Sequence, residues 1–191
     1  AGIPDGVVNI ITGHGDPCGR ALTSHPDVAR VSFTGGPASA GHVIRNTAEN
    51  FAELSLELGG KSPFIVFDDA DIDSAVNGSV AGIFAASGQS CVAGSRLYLQ
   101  EAIADYFLEK MTGIANSIRI GDPQEDDTQM GPLCTEAQIR HIEAQLARAV
   151  EQGGHIIAGG SRVSDRDGLF FQPTIIECPA PAMEIVDMEI T

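Results

Sequence analysis

Two short stretches of this 191-residue chain carry side chains that could take part in covalent chemistry. The first, GQSCVAGSR over residues 88–96, places Cys91 among small residues and between Gly88 and Gly94. Small neighbours leave a sulfur approachable, as a nucleophile requires. A free cysteine is also commonly a small buried hydrophobic residue. The pattern therefore allows a thiol nucleophile at Cys91 and leaves the buried alternative open.

The second stretch is SLELGGKSP over residues 55–63, in which Glu57 stands between two leucines and just before two glycines. A carboxylate with apolar neighbours is expected to be partly desolvated, which raises its pKa and makes it a better proton acceptor near neutral pH. Alternation with a period of two would instead place Ser55 and Glu57 together on a solvent-facing side of a strand. Both interpretations fit the residues alone.

A third stretch, FTGG at residues 33–36, follows the apolar run VARVS and precedes a helical segment that Pro37 opens. A strand, a glycine turn and a helix form the layout of a dinucleotide site, because glycines admit the backbone close to a phosphate and the helix start offers free N–H groups. The stretch is not GxGxxG, and glycine turns join strands to helices in many α/β proteins. The glycine turn alone does not decide between a dinucleotide site and an ordinary connection from strand to helix.

The remaining cysteines and the histidines show no pattern typical of a metal site or a disulfide scaffold. No CxxC or HxxxH pair occurs, so we expect reduced thiols and no metal. The other cysteines are Cys18, Cys134 and Cys178, and the histidines are His14, His25, His42, His141 and His155.

The elements that must position these residues follow an α/β pattern. Strands are predicted at VVNII (7–11), VARVSF (28–33), PFIVF (63–67) and HIIA (155–158). The segments between the first three runs suit helices, and such alternation favours a largely parallel sheet.

Two helices are predicted in the second half of the chain. Apolar residues spaced by three and four predict one buried helical face, which Gly121 to Pro123 then ends; they are Ile103, Phe107, Met111, Ile114 and Ile118. A capping pair, Thr135 and Gln138, opens the second helix, whose predicted buried side is Ile139, Ile142, Leu146 and Val150.

The charge and hydropathy of the chain limit the kinds of partner that it can bind. The formal net charge of −15 repels phosphate backbones and anionic lipid head groups, so we expect neither a nucleic-acid nor a membrane partner. No run of about 18 apolar residues and no secretory leader is visible, which predicts a cytoplasmic protein.

The order and spacing of several short motifs resemble those of the aldehyde dehydrogenase superfamily. ELGGKSP is followed by GQSC, with Cys91 34 positions after Glu57 (91 minus 57). FTGG precedes them, and GDP, MGPL, FFQPT, a predicted strand at 170–174, and MEI follow. The resemblance extends over nearly the whole chain and implies a Rossmann-like parallel-sheet portion joined to the α/β catalytic domain of that fold.

The resemblance implies a role for each matching residue. Cys91 is expected to attack the aldehyde carbonyl, and Glu57 to activate the water that hydrolyses the resulting thioester. Gly35 and Gly36 match the turn under the pyrophosphate of NAD or NADP, Leu58 a backbone neighbour of the nicotinamide, and Glu189 a glutamate that holds the nicotinamide ribose. The substrate is expected to be a small-molecule aldehyde and the full-length protein a homo-oligomer, a dimer or a tetramer.

The chain departs from the family pattern at three positions. Gly36 stands where many relatives have serine, Ala40 where many have glycine, and Thr191 where phenylalanine is expected after Glu189 and Ile190.

Family members also carry segments before and after the matching region, among them an asparagine that binds the oxyanion. The chain is therefore expected to be a fragment without activity of its own. Residues 1–57 are predicted to be the second half of the NAD(P)-binding domain, and residues 58–191 a catalytic domain incomplete at its C-terminus.

Two other interpretations compete with the enzyme. One is a catalytically silent scaffold that keeps the fold, against which the presence of both Glu57 and Cys91 counts. The other is a thiol hydrolase that uses Cys91 without a nucleotide, which requires a histidine base brought close by folding.

Overall fold

The computed structural model describes residues 2–190. Within it the chain forms two compact units that separate between Gly59 and Gly60. We call residues 2–59 the N-terminal unit and residues 60–190 the C-terminal unit. This division lies two residues after the predicted boundary between 57 and 58, while the functions assigned to the two parts remain predictions.

The N-terminal unit is a strand, helix, strand arrangement. After a single-turn helix α1 (Arg20–Thr23), strand β1 (Arg30–Gly35), helix α2 (Pro37–Thr47) and strand β2 (Glu53–Leu58) follow in order. The two strands are parallel. Pro37 opens α2 as predicted, because its fixed φ suits the first helical turn and its missing N–H is not needed there.

The strand predicted at residues 7–11 is wrong for this structure. Those residues have no regular structure, and their apolar side chains are exposed, Ile10 at 89%. A strand needs a neighbour that accepts and donates its ladder of hydrogen bonds, and within residues 2–190 the only strand that pairs with β1 is β2. The β-branched composition of this run is therefore not enough to make it a strand here.

The C-terminal unit begins with a second parallel pair joined by a helix. Strand β3 (Pro63–Val66) precedes helix α3 (Ile72–Phe84), and strand β4 (Arg96–Leu99) pairs with β3 in parallel. The Asp71 carboxylate accepts a hydrogen bond of 2.8 Å from the Ser74 amide and so caps α3. Parallel strands joined by helices in both units give the predicted α/β fold.

The rest of the C-terminal unit adds three helices and an antiparallel pair. Its elements are α4 (Glu101–Ser117), α5 (Glu136–Glu151), β5 (His155–Ala158), β6 (Ile175–Glu177) and α6 (Glu184–Asp187). Strand β5 has the predicted bounds. The Thr135 hydroxyl accepts a hydrogen bond of 3.1 Å from the Gln138 amide and caps α5 as predicted, whereas the Gln138 side chain bonds to the Ile190 carbonyl.

Other sequence-based predictions also differ from the structure, and the strand predicted at 28–33 lies at Arg30–Gly35. Helix α4 ends at Ser117, because Ile118 is already extended (φ −62°, ψ 120°), four or more residues before the predicted stop. Val150 is exposed and Ala149 is buried in its place. In the last turn of α5 the buried face therefore includes residue 149 rather than residue 150. Residues 170–174 form only an isolated bridge between Phe171 and Arg162, and β6 begins after them.

Phe107 of α4 is the largest fully buried side chain, at 0% exposure, and lies in a core cluster with residues of α3, β3 and β6. We expect Phe107→Ala to destabilise the unit by about 3–5 kcal/mol, because truncation removes apolar contacts and leaves a cavity. Phe67→Ala is the matched control: Phe67 is 62% exposed, and its loss should change stability by less than about 0.5 kcal/mol. Urea unfolding followed by circular dichroism compares the two, and equal midpoints would contradict this description of the core.

Candidate active site

Cys91 lies in the loop between α3 and β4, and its side chain is exposed. On one side of it Ala93 is buried and donates to the Ser90 carbonyl at 3.0 Å. Beyond Ala93, a Cβ added to Gly94 would stand 3.3 Å from the Phe64 Cβ, so a larger residue would crowd β3. The loop is thus held close to the core while the thiol stays accessible, and the buried alternative for Cys91 is wrong.

The other cysteines differ in exposure and in their surroundings. Cys134 is exposed, and Cys18 and Cys178 are half-buried. Burial raises the pKa of the Cys178 thiol, an effect that nearby Lys61 partly offsets. A raised pKa means a smaller thiolate fraction at a given pH and hence slower alkylation.

We expect Cys91 to be the only strongly reactive thiol of the four in the full-length protein. Its side chain is exposed and its neighbours in the sequence are small. A short iodoacetamide treatment followed by mass-spectrometric mapping measures how far each cysteine is modified. A Cys134→Ser variant serves as control, because Cys134 is the other exposed thiol. Modification of Cys18, Cys134 or Cys178, with Cys91 intact and activity lost, would contradict the expectation.

Glu57 lies in β2, where it is paired in register with Thr34 of β1, and its side chain is exposed. The desolvation predicted for it is wrong in this structure, because Glu57 faces solvent. The alternation holds only in part: Glu53 and Glu57 are exposed, whereas Ser55, on the same side of the pleat, is half-buried like the three leucines.

Gly35, Gly36 and Leu58 lie together at the carboxyl end of the parallel pair. Gly35 ends β1 opposite Leu58 of β2, and Gly36 is the N-cap residue of α2. A Cβ added to Gly36 would meet no atom within 4 Å, so the serine expected from the resemblance would fit there. The same open space lets an anion approach the free N–H groups of the first turn of α2.

Glu189 is held by its neighbours in the C-terminal unit. Its Oε1 accepts a hydrogen bond of 3.2 Å from the Gly60 amide, and its main-chain carbonyl lies 3.4 Å from His141 Nε2. Thr191, the departure beside it, lies outside the described residues.

Sequence reasoning missed a charged cluster around Lys61. The side chain is half-buried, and burial, with a smaller contribution from Arg96, lowers the pKa of its ammonium group, while Cys178, Glu189 and Asp187 act in the opposite direction. Lys61, Arg96, Cys178 and Glu189 line one cavity of about 550 Å³ whose other walls are largely apolar. These residues are far apart in the sequence, so no local pattern indicated the cluster. The only local signal was a lysine directly after two glycines.

Residues 2–190 carry neither a metal-binding cluster nor a membrane-spanning helix. In this range no group of three or more His, Cys, Asp or Glu side chains could hold a metal ion. No helix in the same range is long and apolar enough to cross a membrane.

Comparison with known proteins decides the family. The sequence model of the aldehyde dehydrogenase family matches residues 1–191. The chain belongs to the aldehyde dehydrogenase family. Two curated relatives of this aldehyde dehydrogenase chain are similar over almost all of it. It is 54% identical over 178 residues to (Z)-2-((N-methylformamido)methylene)-5-hydroxybutyrolactone dehydrogenase of Acinetobacter baylyi, covering 93% of the chain and 36% of the relative.

The second relative is the succinate-semialdehyde dehydrogenase (NADP(+)) GabD of Escherichia coli, at 42% identity, with coverage of 95% of the chain and 38% of the relative. Among solved structures, betaine aldehyde dehydrogenase of Staphylococcus aureus in complex with NAD+ is 38% identical with a TM-score of 0.93, covering 99% of this chain and 38% of that one. The aldehyde dehydrogenase chain therefore spans between 36 and 38% of the length of these proteins.

Proposed function

We propose that the full-length protein carrying this chain oxidises a small aldehyde to a carboxylic acid with NAD+ or NADP+. The observation that carries the proposal is the exposed, anchored Cys91 thiol in a chain of the aldehyde dehydrogenase family. The relatives named above include one named for NADP(+) and one solved with NAD+, which supports both cofactors as candidates.

Cys91 performs the first covalent step. Its thiolate forms a bond to the carbonyl carbon, and the carbonyl oxygen takes up the negative charge, which gives a thiohemiacetal on the sulfur. Loss of hydride from that carbon converts the thiohemiacetal into a thioester on Cys91. When bound, the nicotinamide of NAD+ or NADP+ would accept that hydride.

Glu57 acts in the second step. Its carboxylate takes a proton from water as the water oxygen attacks the thioester carbon, and the sulfur leaves as thiolate with release of the carboxylic acid. The Glu57 side chain is exposed, so water can reach its carboxylate. Glu57 also helps to deprotonate the cysteine before the first step.

The cofactor is assigned to the residues that match the family pattern. Gly35, Gly36 and the start of α2 would hold the pyrophosphate, because the open space over Gly36 and the free N–H groups there suit an anion. Leu58 would lie beside the nicotinamide, and Glu189, held by the Gly60 amide, would bind the nicotinamide ribose. Residues 1–57 then form part of the cofactor-binding domain and residues 58–191 most of the catalytic domain.

Location and assembly follow from the same proposal. We assign the full-length protein to the cytoplasm, as a homo-oligomer without nucleic-acid or membrane partners. The four free cysteines support the cytoplasm, and the net charge of −15 counts against partners with a phosphate backbone or anionic lipid head groups; the oligomer is taken from the resemblance.

The 191-residue chain by itself is expected to fold in part and to show no aldehyde oxidation. Loss of a single oxyanion donor costs roughly 10²- to 10³-fold in rate, and the chain spans only part of the length of its relatives. Exposed apolar side chains, such as Ile10 and Phe51, also favour self-association. Light scattering and an NAD(P)H absorbance assay, with the full-length protein as positive control, test both expectations. A monomeric and active chain would contradict them, and an inactive full-length protein would contradict the proposed function.

A further inference from the structure

The backbone just before the Cys91 loop has an unusual conformation. Ala86 (φ 51°, ψ 32°) and Ser87 (φ 57°, ψ 32°) are left-handed, and Gly88 follows with φ 77°. In this region the Cβ of an L-residue lies too close to the following carbonyl oxygen, so two such residues in sequence cost free energy. Such conformations persist where surrounding contacts hold them, and they occur at functional sites.

Two side-chain hydrogen bonds supply those contacts. The Ser87 hydroxyl donates to the Gly131 carbonyl at 2.9 Å, and Gln89 Oε1 accepts from the Cys134 amide at 3.0 Å. The two bonds lie on either side of Gly88 and join the loop to the same segment, residues 131–134. Ser87 and Gln89 therefore connect the Cys91 loop to a distant part of the chain at two points.

The segment that receives these bonds is itself fixed. The Leu133 amide donates to the Leu169 carbonyl at 2.8 Å, and the Leu133 side chain is buried in a core cluster. Next to it, the Gly121 amide donates to the Met130 carbonyl at 3.0 Å. Residues 130–134 thus offer a firm support rather than a loose loop.

The far side of the Cys91 loop is anchored independently. The Gly94 amide donates to the Gly82 carbonyl at 3.4 Å, and Ala93 is buried. Cys91 lies four residues after Ser87 and three residues before Gly94, between the two anchors. The position of its thiol depends on both.

We propose that Ser87 is a positioning residue, whose hydrogen bond to Gly131 fixes the Cys91 loop for attack on the aldehyde. The proposal rests on the proposed function of Cys91 and adds the contact that orients it. Ser87 does not touch the substrate. It holds a strained turn whose relaxation would displace the thiol, and a displacement of about 1 Å can cost about 10²-fold in rate.

Three variants of the full-length protein test this. Ser87→Ala removes the hydroxyl, Ser87→Asn restores a donor in a residue that tolerates the left-handed region, and Ser95→Ala is the matched control. Ser95 is an exposed serine four residues after Cys91, as Ser87 is four residues before it. The readouts are amide hydrogen exchange of the peptide containing residues 88–94, the iodoacetamide labelling rate of Cys91, and kcat and KM for aldehyde oxidation.

For Ser87→Ala we expect exchange in residues 88–94 to rise about tenfold or more and kcat to fall about 10- to 100-fold. The labelling rate and the KM for the cofactor should stay near those of the unsubstituted protein, because a small alkylating agent does not require an oriented thiol. Ser87→Asn should recover most of kcat, and Ser95→Ala should match the unsubstituted protein throughout. A fall in kcat with an unchanged labelling rate and an unchanged KM for the cofactor distinguishes a positioning role from a general loss of stability.

Unchanged exchange and unchanged kcat in Ser87→Ala would overturn the proposal, as would equal effects in Ser95→Ala. Should Ser87→Ala fail to fold, Ser87→Gly removes the same hydroxyl and gives the backbone freedom to leave the left-handed region, so the same changes are expected of it; behaviour like the unsubstituted protein would overturn the proposal. If the unsubstituted full-length protein does not oxidise aldehydes, the proposed function fails, and the exchange measurement alone still decides whether Ser87 holds the loop.

Discussion

Replacing Cys91 by serine is expected to lower kcat/KM for aldehyde oxidation by about 10⁴-fold or more in the full-length protein. A serine hydroxyl is scarcely ionised at neutral pH, whereas a thiol supplies an intrinsically strong thiolate nucleophile. Removing a covalent nucleophile abolishes every later step, and such losses reach about 10⁶-fold in other enzymes. Steady-state production of NAD(P)H across a panel of aldehydes measures the effect.

Cys134→Ser is the control for this substitution, because Cys134 is also exposed but has no assigned role in the reaction. We expect it to retain near-normal kcat/KM. Both variants should keep the melting temperature of the unsubstituted protein, since exposed side chains contribute little to stability. Full activity in Cys91→Ser would eliminate Cys91 as nucleophile, and inactivity of every form, including the unsubstituted protein, would favour the silent scaffold.

Glu57→Gln is expected to slow thioester hydrolysis by about 10²- to 10⁴-fold while hydride transfer changes less, because the amide cannot accept the proton of the attacking water. Acyl enzyme should then accumulate. A rapid-mixing experiment should therefore show a burst of NAD(P)H, close to one per site, followed by a slow steady state.

Glu53→Gln is the matched control, since Glu53 is an exposed glutamate of the same strand, four residues earlier in β2. It pairs with Arg30 at 3.7 Å on the surface, and loss of such a pair has little effect. Its burst and steady state should match those of the unsubstituted protein. Disappearance of the burst in Glu57→Gln, with hydrolysis unaffected, would assign Glu57 to activation of Cys91 alone.

Two helices of the C-terminal unit, α4 and α5, were predicted from the sequence, because their signals are local. The spacing of Phe107 and Met111 and the cap at Thr135 depend on neighbours within one or two turns, and the structure confirms all three. The strand at residues 7–11 failed for the opposite reason. A strand exists only with a hydrogen-bonded partner, which composition does not provide.

The candidate site was predictable in its residue types but not in its contacts. The small neighbours of Cys91 allowed an exposed thiol without deciding against a buried one, and the exposed side chain of Glu57 depends on which side of β2 is covered. The bond from Ser87 to Gly131 joins residues 44 positions apart, and the Lys61 cluster includes Cys178 and Glu189 from the other end of the C-terminal unit. Nothing in the local pattern of Ser87 or Lys61 indicates such distant partners.

The central claim, that Cys91 carries the substrate as a thioester, is tested most directly by trapping that species. The full-length Glu57→Gln variant is mixed with an aldehyde and NAD+ or NADP+, quenched in acid during the slow phase and mapped by mass spectrometry. We predict a mass increase equal to the acyl group on the peptide containing Cys91, dependent on the nucleotide and absent from Cys91→Ser. An acyl group on another residue, or turnover with Cys91 unmodified at every time point, would contradict the account.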